Sequence, residues 1–374
     1  MNAMTNDPAL DPAPVLHTLG PKHADDARIF QGIPGIERAP NGRLRATWYS
    51  GGPGEGPENF VTLVTSGDDG ATWSGLKLAI DPPGDVRAFD PCLWSDPAGR
   101  LWLFWAQGYS WWDGRAGVWA IVTENPGEEN PKWSAPRRLC NGIMMNKPTV
   151  LSTGEWLLPA AVWEIKPNSR EERRFDLGEE KRPNVVCSAD RGGTWSLLVG
   201  PVFADRDCDE HLLVERRDGR LWMLVRTKYG VGESFSSDGG RTWTPGRRAE
   251  TVTHIPHARF FIRRLASERL LLVKHEPSDG TTRSHLTAYL SDDDGETWGG
   301  GLLLDERRGV SYPDGVQAPD GAIYIIYDYD RTGAKEILMA VFTEKDVAQG
   351  ECVSDRARLR VLVNKATGAH PKHR

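Results

Sequence analysis

The chain repeats one hydrophobic pattern: a short apolar run, a tight polar turn, then a second apolar run. Six copies can be read. They are G-I-E-R-A-P-N-G-R-L-R-A-T-W, C-L-W-S-D-P-A-G-R-L-W-L-F-W, T-V-L-S-T-G-E-W-L-L-P, L-L-V-E-R-R-D-G-R-L-W-M-L-V, F-F-I-R-R-L-A-S-E-R-L-L-L-V and G-V-Q-A-P-D-G-A-I-Y-I-I-Y. Apolar and polar residues alternate around each turn as in strands, and no stretch sustains a helical period beyond two turns. The turn residues Gly42, Gly99, Gly154, Gly219, Glu268 and Gly321 lie 57, 55, 65, 49 and 53 residues apart. That period fits one four-stranded sheet per repeat, with room for loops.

A second repeat runs in step with the first. The octapeptide S-x-D-x-G-x-T-W occurs at Ser66–Trp73, Ser188–Trp195, Ser236–Trp243 and Ser291–Trp298, with a worn copy at Lys132-Trp133-Ser134. Ser and Asp side chains cap backbone N–H groups, and Gly supplies a positive φ, so the motif reads as a structural turn with its Trp packed back between units. It lacks the further oxygen ligands of a calcium loop. Six such sheets set radially make an all-β fold, a six-bladed β-propeller of four-stranded antiparallel blades. One propeller domain is expected over residues 25–363, after a Pro-rich lead-in (1–24) and before a tail (364–374).

Composition narrows the function classes. The 374 residues carry 46 basic and 52 acidic side chains, interspersed, for a net charge of −6. No basic block is long enough to follow a phosphate backbone, so no nucleic-acid partner is expected. No apolar run reaches the roughly 18–20 residues of a membrane helix. The first residues, M-N-A-M-T-N-D-P-A-L-D-P-A-P, do not read as a secretory signal, which makes a cytoplasmic location the expectation. Five scattered cysteines (Cys92, Cys140, Cys187, Cys208 and Cys352) form no C-x-x-C pair, so neither a disulfide framework, a metal site nor a cofactor is expected.

Residues at the start of each blade's inner strand converge on one mouth of a propeller's channel. Reading just ahead of each hairpin gives Gln31 in blade one, Asp90 in blade two, and Asn146 with Lys147 in blade three. Blade four offers Asp209, Glu210 and His211, blade five His257 and Arg259, and blade six Tyr312 and Asp314. Burying so many unpaired polar groups would cost several kcal/mol each, so a ring of them implies a wet pocket. For a single member such as Lys147 or Asp314, an interior salt bridge is an equal alternative. Trp105, Tyr109, Trp111 and Trp112, in W-A-Q-G-Y-S-W-W, are candidate stacking surfaces for sugar rings. Trp111 and Trp112 are favoured because they lie in a loop.

With these motifs in place, the chain resembles the sialidase superfamily. The octapeptides match its Asp boxes, and the resemblance spans roughly residues 28–345. In D-E-H-L-L-V-E-R-R-D-G-R-L-W-M-L-V-R it implies roles for Glu210 and Arg226. In T-R-S-H-L-T-A-Y-L-S-D-D-D-G it implies one for Arg283, and in S-Y-P-D-G-V-Q-A-P-D-G one for Tyr312. A carboxylate nucleophile would be repelled by the carboxylate on a sialic acid's anomeric carbon, whereas a phenol is not. Since a phenol titrates near 10, it needs a neighbouring base, the role implied for Glu210. Arginines grip a carboxylate bidentately.

The chain departs from the family pattern twice. Where sialidases carry F-R-I-P, it reads F-Q-G-I-P, with Gln31 near the clamp arginine's place and an extra Gly32; Arg259 is a candidate replacement. The loop Y-S-G-G-P-G-E-G-P-E-N-F has no Asp to serve as general acid, leaving Glu55, Glu58 or Asp90. The expected function is therefore an exo-acting, retaining, sialidase-like glycoside hydrolase that removes a terminal sialic acid or related acidic sugar. The alternatives are a uronate lyase using His257, His254 or His275 with Tyr312, or a non-catalytic carbohydrate-binding propeller.

Overall fold

Each of the six predicted hairpins forms the first two strands of a sheet in the computed structural model, which describes residues 7–109 and 112–369. Blade one contains Phe30–Arg38, Leu44–Gly51, Phe60–Ser66 and Leu78–Ile80. Blade two contains Val86–Ser95, Leu101–Tyr109, Gly117–Thr123 and Arg137–Asn141. Blade three contains Thr149–Val150, Trp156–Ala161, Pro183–Ser188 and Ser196–Leu198, and blade four Arg206–Glu215, Leu221–Thr227, Gly230–Ser236 and Arg247–Arg248. Blade five contains Phe261–Arg264, Leu270–His275, Leu286–Ser291 and Gly299–Asp305, and blade six Val310–Gln317, Ile323–Tyr329, Glu336–Phe342 and Arg358–Lys365. All neighbours pair antiparallel in sequence order, and the first strands of blades six, one and two, and of blades three to six, pack together around the axis. The fold is the six-bladed propeller of the sequence reading.

The lead-in is not loose where it is described. Val15–Leu16 adds a fifth strand to blade one, pairing with Ile80 and Ala79. Upstream, Asp7 accepts from the Tyr109 hydroxyl at 2.7 Å, and Gln107 Nε2 donates to Asp11 O at 2.7 Å. At the other end, Gly368 N donates to Arg28 O at 3.1 Å, so part of the expected tail is also tied down.

The Asp boxes link the third and fourth strands of blades one, three, four and five. In blade four, Ser236 Oγ donates to Asp238 Oδ1 and accepts from Gly240 N, both at 2.8 Å, while Thr242 N and Oγ1 donate to the Asp238 carboxylate. These bonds, led by the Thr242 hydroxyl, pull the Asp238 carboxyl down to about 2. The same set recurs at Ser66, Ser188 and Ser291. The motif's glycine has φ between 79° and 92° in the four copies. A Cβ at Gly192 would lie 2.8 Å from Trp102, and one at Gly295 would lie 2.5 Å from Trp222. Both tryptophans sit on the second strand of the preceding blade, so the turn also locks blade to blade. Ser236→Ala strips the acceptor from the buried Gly240 N–H, and a loss of about 1–3 kcal/mol is expected in denaturant melts.

Candidate active site

Four inner strands leave their regular ladder at the same height. The register shifts fall between Gly32 and Gly35, Phe89 and Cys92, Arg206 and Leu212, and Ser311 and Asp314. At each bulge a non-glycine residue takes a left-handed backbone: Ile33 (φ 57°), Asp90 (48°), Glu210 (44°) and Tyr312 (54°). Such backbone costs about 1–3 kcal/mol per residue and is retained where a side chain must be re-aimed. Three of these four residues are the polar groups that gather at the mouth.

Tyr312 and Glu210 lie together although 102 residues separate them. The phenol donates to Glu210 Oε1 at 2.8 Å and accepts from Arg226 Nη1 at 3.2 Å; the same Arg226 nitrogen also donates to Glu210. All three residues are about 95% buried. Asn146 Nδ2 supports this bulge from beneath, donating to Glu210 O at 2.8 Å and His211 O at 2.9 Å. Burial, then the Glu210 charge, push Tyr312 well above the ordinary phenol range, so the hydroxyl holds its proton at neutral pH. Burial also opposes the Glu210 charge, but the Arg226 guanidinium, the Tyr312 hydrogen bond and Arg283 outweigh it and hold Glu210 below the usual carboxylate range. The pair is a neutral donor hydrogen-bonded to an ionised acceptor, the arrangement that activates a hydroxyl nucleophile.

Arg283 donates through Nη1 to Ser311 Oγ at 3.0 Å and through Nη2 to His257 O at 3.2 Å, with its guanidinium carbon 5.4 Å from the Tyr312 ring centre. Among the described residues no carboxylate lies within 4.0 Å of it. Asp90 is 4% exposed, and no hydrogen-bond partner of its carboxyl is found among the described residues. Burial, followed by the charge of Glu55, raises it to about 7, with Glu210 adding to the effect and Arg87 and Arg331 opposing it. A carboxyl with that value is about half protonated at neutral pH.

Several expected site residues lie elsewhere. Gln31 is fully buried in the seam between blades one and six, where it accepts from Arg28 Nη1 at 2.7 Å and donates to Lys335 O at 2.6 Å. It precedes the left-handed Ile33 by two positions, so the bulge does not turn it toward the mouth. Lys147, Asp314 and Arg259 form a buried polar plug on the axis below Tyr312. Lys147 Nζ donates to Ile36 O at 2.7 Å and Leu93 O at 2.6 Å, and lies 3.3 Å from both Glu37 and Asp314. Burial opposes its charge, but Asp314 and Glu37 hold the ammonium above its ordinary value. Asp314 accepts from Ile36 N at 2.9 Å. Arg259 donates to Asn146 Oδ1 at 2.7 Å and Met145 O at 3.1 Å, beneath the phenol and away from the mouth. It therefore does not replace the missing clamp arginine. Glu58 is exposed and turned against Gly52 in a cleft with Lys22 and Asp81, away from the mouth. Glu55 is at the mouth, 3.2 Å from Arg331.

Of the lyase histidines, His275 is fully buried and bonded to Val310 O at 3.0 Å, and His254 is exposed. His257 stands on the rim, 3.2 Å from Asp207. Trp105 is fully buried and stacked on Trp119, and Trp112 packs on Trp163 in the core. Neither offers a sugar-stacking face, and Trp111 lies outside the described residues. Among the described residues no three His, Cys, Asp or Glu side chains gather as metal ligands.

Three mouth residues escaped the sequence reading: Arg331, whose guanidinium carbon is 4.5 Å from the Tyr312 ring centre, and the rim pair Lys166 and Asp207, 3.3 Å apart. Arg331 follows the second strand of blade six, much as Arg226 closes the second strand of blade four. Scanning strand ends as well as strand starts would have found it.

The fold and this mouth define an Asp-box propeller of sialidase-like architecture. Residues 36–325 match the BNR repeat-like domain, and the chain belongs to that family. Comparison with curated proteins gave no match. Among solved structures, the chain is similar to the Hadza microbial sialidase Hz136, at 18% identity over 86% of this chain and 67% of that one, with a TM-score of 0.67. It is similar to the intramolecular trans-sialidase from Ruminococcus gnavus in complex with oseltamivir carboxylate, at 13% identity over 85% and 95% of the two chains, with a TM-score of 0.63. It is also similar to a protein of unknown function from Dyadobacter fermentans, at 17% identity over 81% and 92%, with a TM-score of 0.61. At these identities the likeness concerns the fold.

Lys147→Met leaves Glu37 buried without its cation and Asp314 with only Arg259, 3.8 Å away. A loss of about 3–5 kcal/mol is expected in denaturant melts.

Proposed function

We propose that the chain is an exo-acting, retaining glycoside hydrolase that removes a terminal sialic acid or related acidic sugar from a glycan. The observation that carries this reading is the buried hydrogen bond from Tyr312 to Glu210, with Arg226 donating to both. The phenol oxygen attacks the anomeric carbon while its proton passes to Glu210, giving a tyrosyl-sugar intermediate. The departing glycosidic oxygen takes its proton from Asp90. Water then attacks the anomeric carbon, giving its proton to Asp90, and the tyrosyl oxygen recovers its proton from Glu210. Arg283, which has no acidic partner among the described residues, holds the substrate carboxylate.

A second reading uses the same mouth for β-elimination on a uronate. His257, kept below the usual imidazole range by burial and Arg226, is its candidate base. Digestion that produces a new ultraviolet-absorbing unsaturated sugar would favour that reading over hydrolysis.

Two outcomes test hydrolysis. Tyr312→Phe should lower turnover of a cleavable acidic-sugar glycoside by at least about 10³-fold while leaving ligand affinity nearly unchanged. Full activity in this variant would refute the nucleophile, and a pure binding protein would show no turnover in either form. The second concerns pH. Asp90 must be protonated to act, so kcat/KM should fall as pH rises through about 7. Asp90→Asn should remove that basic limb and cost about 10²–10⁴-fold on alkyl glycosides, with a much smaller loss on nitrophenyl glycosides, whose leaving group needs no proton.

A further inference from the structure

Arg331 is built into the mouth by three features that neither the family pattern nor the proposed mechanism requires. The first is Gly32, the extra glycine of F-Q-G-I-P. A Cβ there would run into Arg331 Cδ and sit 2.8 Å from its Cγ, so the arginine stem passes through space that only glycine leaves open. The second is the division of its partners. Nε lies 3.2 Å from Asp328, which is fully buried and fixed by Ile33 N at 2.8 Å. The two terminal nitrogens face the mouth instead. Nη1 donates to Glu55 at 3.2 Å, and Nη2 to Ser311 Oγ at 3.4 Å. The third is convergence: Ser311 Oγ, one residue from Tyr312, also accepts from Arg283 at 3.0 Å. Two guanidiniums from different blades thus close on one oxygen beside the phenol.

Glu55 differs from Asp328 in every respect that bears on release. It is 46% exposed and sits on the loop G-G-P-G-E-G-P, where Gly54 and Gly56 have nothing packed around them. Withdrawing its carboxylate requires no repacking, and an exposed ion pair of this kind contributes only about 0–1 kcal/mol.

We propose that Arg331, admitted by Gly32, recognises the carboxylate of the substrate together with Arg283, and that Glu55 occupies its terminal nitrogens until that carboxylate displaces it. The proposal rests on the reading of the mouth as an acidic-sugar site and adds a residue and a displacement step to it. The buried Asp328 keeps the guanidinium oriented in both states, leaving a two-pronged face for a planar anion.

The test is calorimetric, on the full chain at neutral pH, with N-acetylneuraminic acid, its methyl ester and D-glucuronate as probes. The wild type should bind at least one free acid, and sialic acid about tenfold or more tighter than its ester if that is the sugar taken. Arg331→Ala should abolish the binding of the acids or their advantage. Arg331→Lys, which keeps the charge if the alanine variant fails to fold, should weaken it. Glu55→Gln should tighten acid binding several-fold and leave the ester unchanged. Gly32→Ala should weaken acid binding in the wild type and change nothing in Arg331→Ala, a coupling that a purely structural glycine would not show. Undiminished acid binding in both Arg331 variants, weaker acid binding in Glu55→Gln, or a wild type that binds neither acid overturns the proposal. Hydrolysis is judged separately by the turnover of Tyr312→Phe. Turnover without carboxylate preference sinks this inference alone, and Arg331-dependent acid binding without turnover sinks the hydrolase alone.

Discussion

The mouth depends on a backbone constraint at the same height in four blades. A regular strand alternates its side chains between the two faces of the sheet, and neither face looks along the propeller axis. Asp90, Glu210 and Tyr312 reach the mouth because each sits at a bulge in left-handed backbone. Three such residues represent several kcal/mol of local strain that the blades around them must absorb. Asn146 shows how this is done in blade four, holding the carbonyls of Glu210 and His211 with both hydrogens of its amide.

Beneath the strained layer lies the plug of Lys147, Glu37, Asp314 and Arg259. These groups are buried in pairs of opposite sign and bonded to the main chains of blades one and two. They lie beneath the mouth where Tyr312, Glu210 and Asp90 gather. The two layers obey different rules: below, charges are neutralised and fixed, while above, Arg283 has no acidic partner among the described residues and burial raises the Asp90 carboxyl.

The fold was legible because its signals are local. The turn glycines, the strand alternation and the Asp-box capping residues each act within about ten residues of chain. The Tyr312, Glu210, Arg226 and Arg283 cluster was legible through ordered motifs. The direction of a side chain relative to a bulge was not, because a shift of one residue reverses the face a side chain takes. Gln31, Lys147, Asp314 and Arg259 are polar residues near strand starts that point into the seam or the plug, and composition alone does not separate them from Asp90. Arg331 was missed for a different reason: it follows a strand rather than opening one, and its stem fills the space that Gly32, about three hundred residues earlier, leaves open.

Among the described residues no strand is shared between the first and last blades; side chains and main-chain groups stitch the ring closed. Gln31 N bonds to Arg331 O at 3.2 Å, while Asp328 and Asp314 accept from Ile33 and Ile36. The proposed nucleophile and Arg331 are carried by the blade made last, and Asp90, Glu210 and Arg283 by blades made before it. A nascent chain with five blades emerged from the ribosome would hold Asp90, Glu210 and Arg283 but no phenol for them to serve. The proposed catalytic competence would then appear in one step, when the sixth blade docks on the first, and would mark completion of the ring more sharply than its secondary structure does.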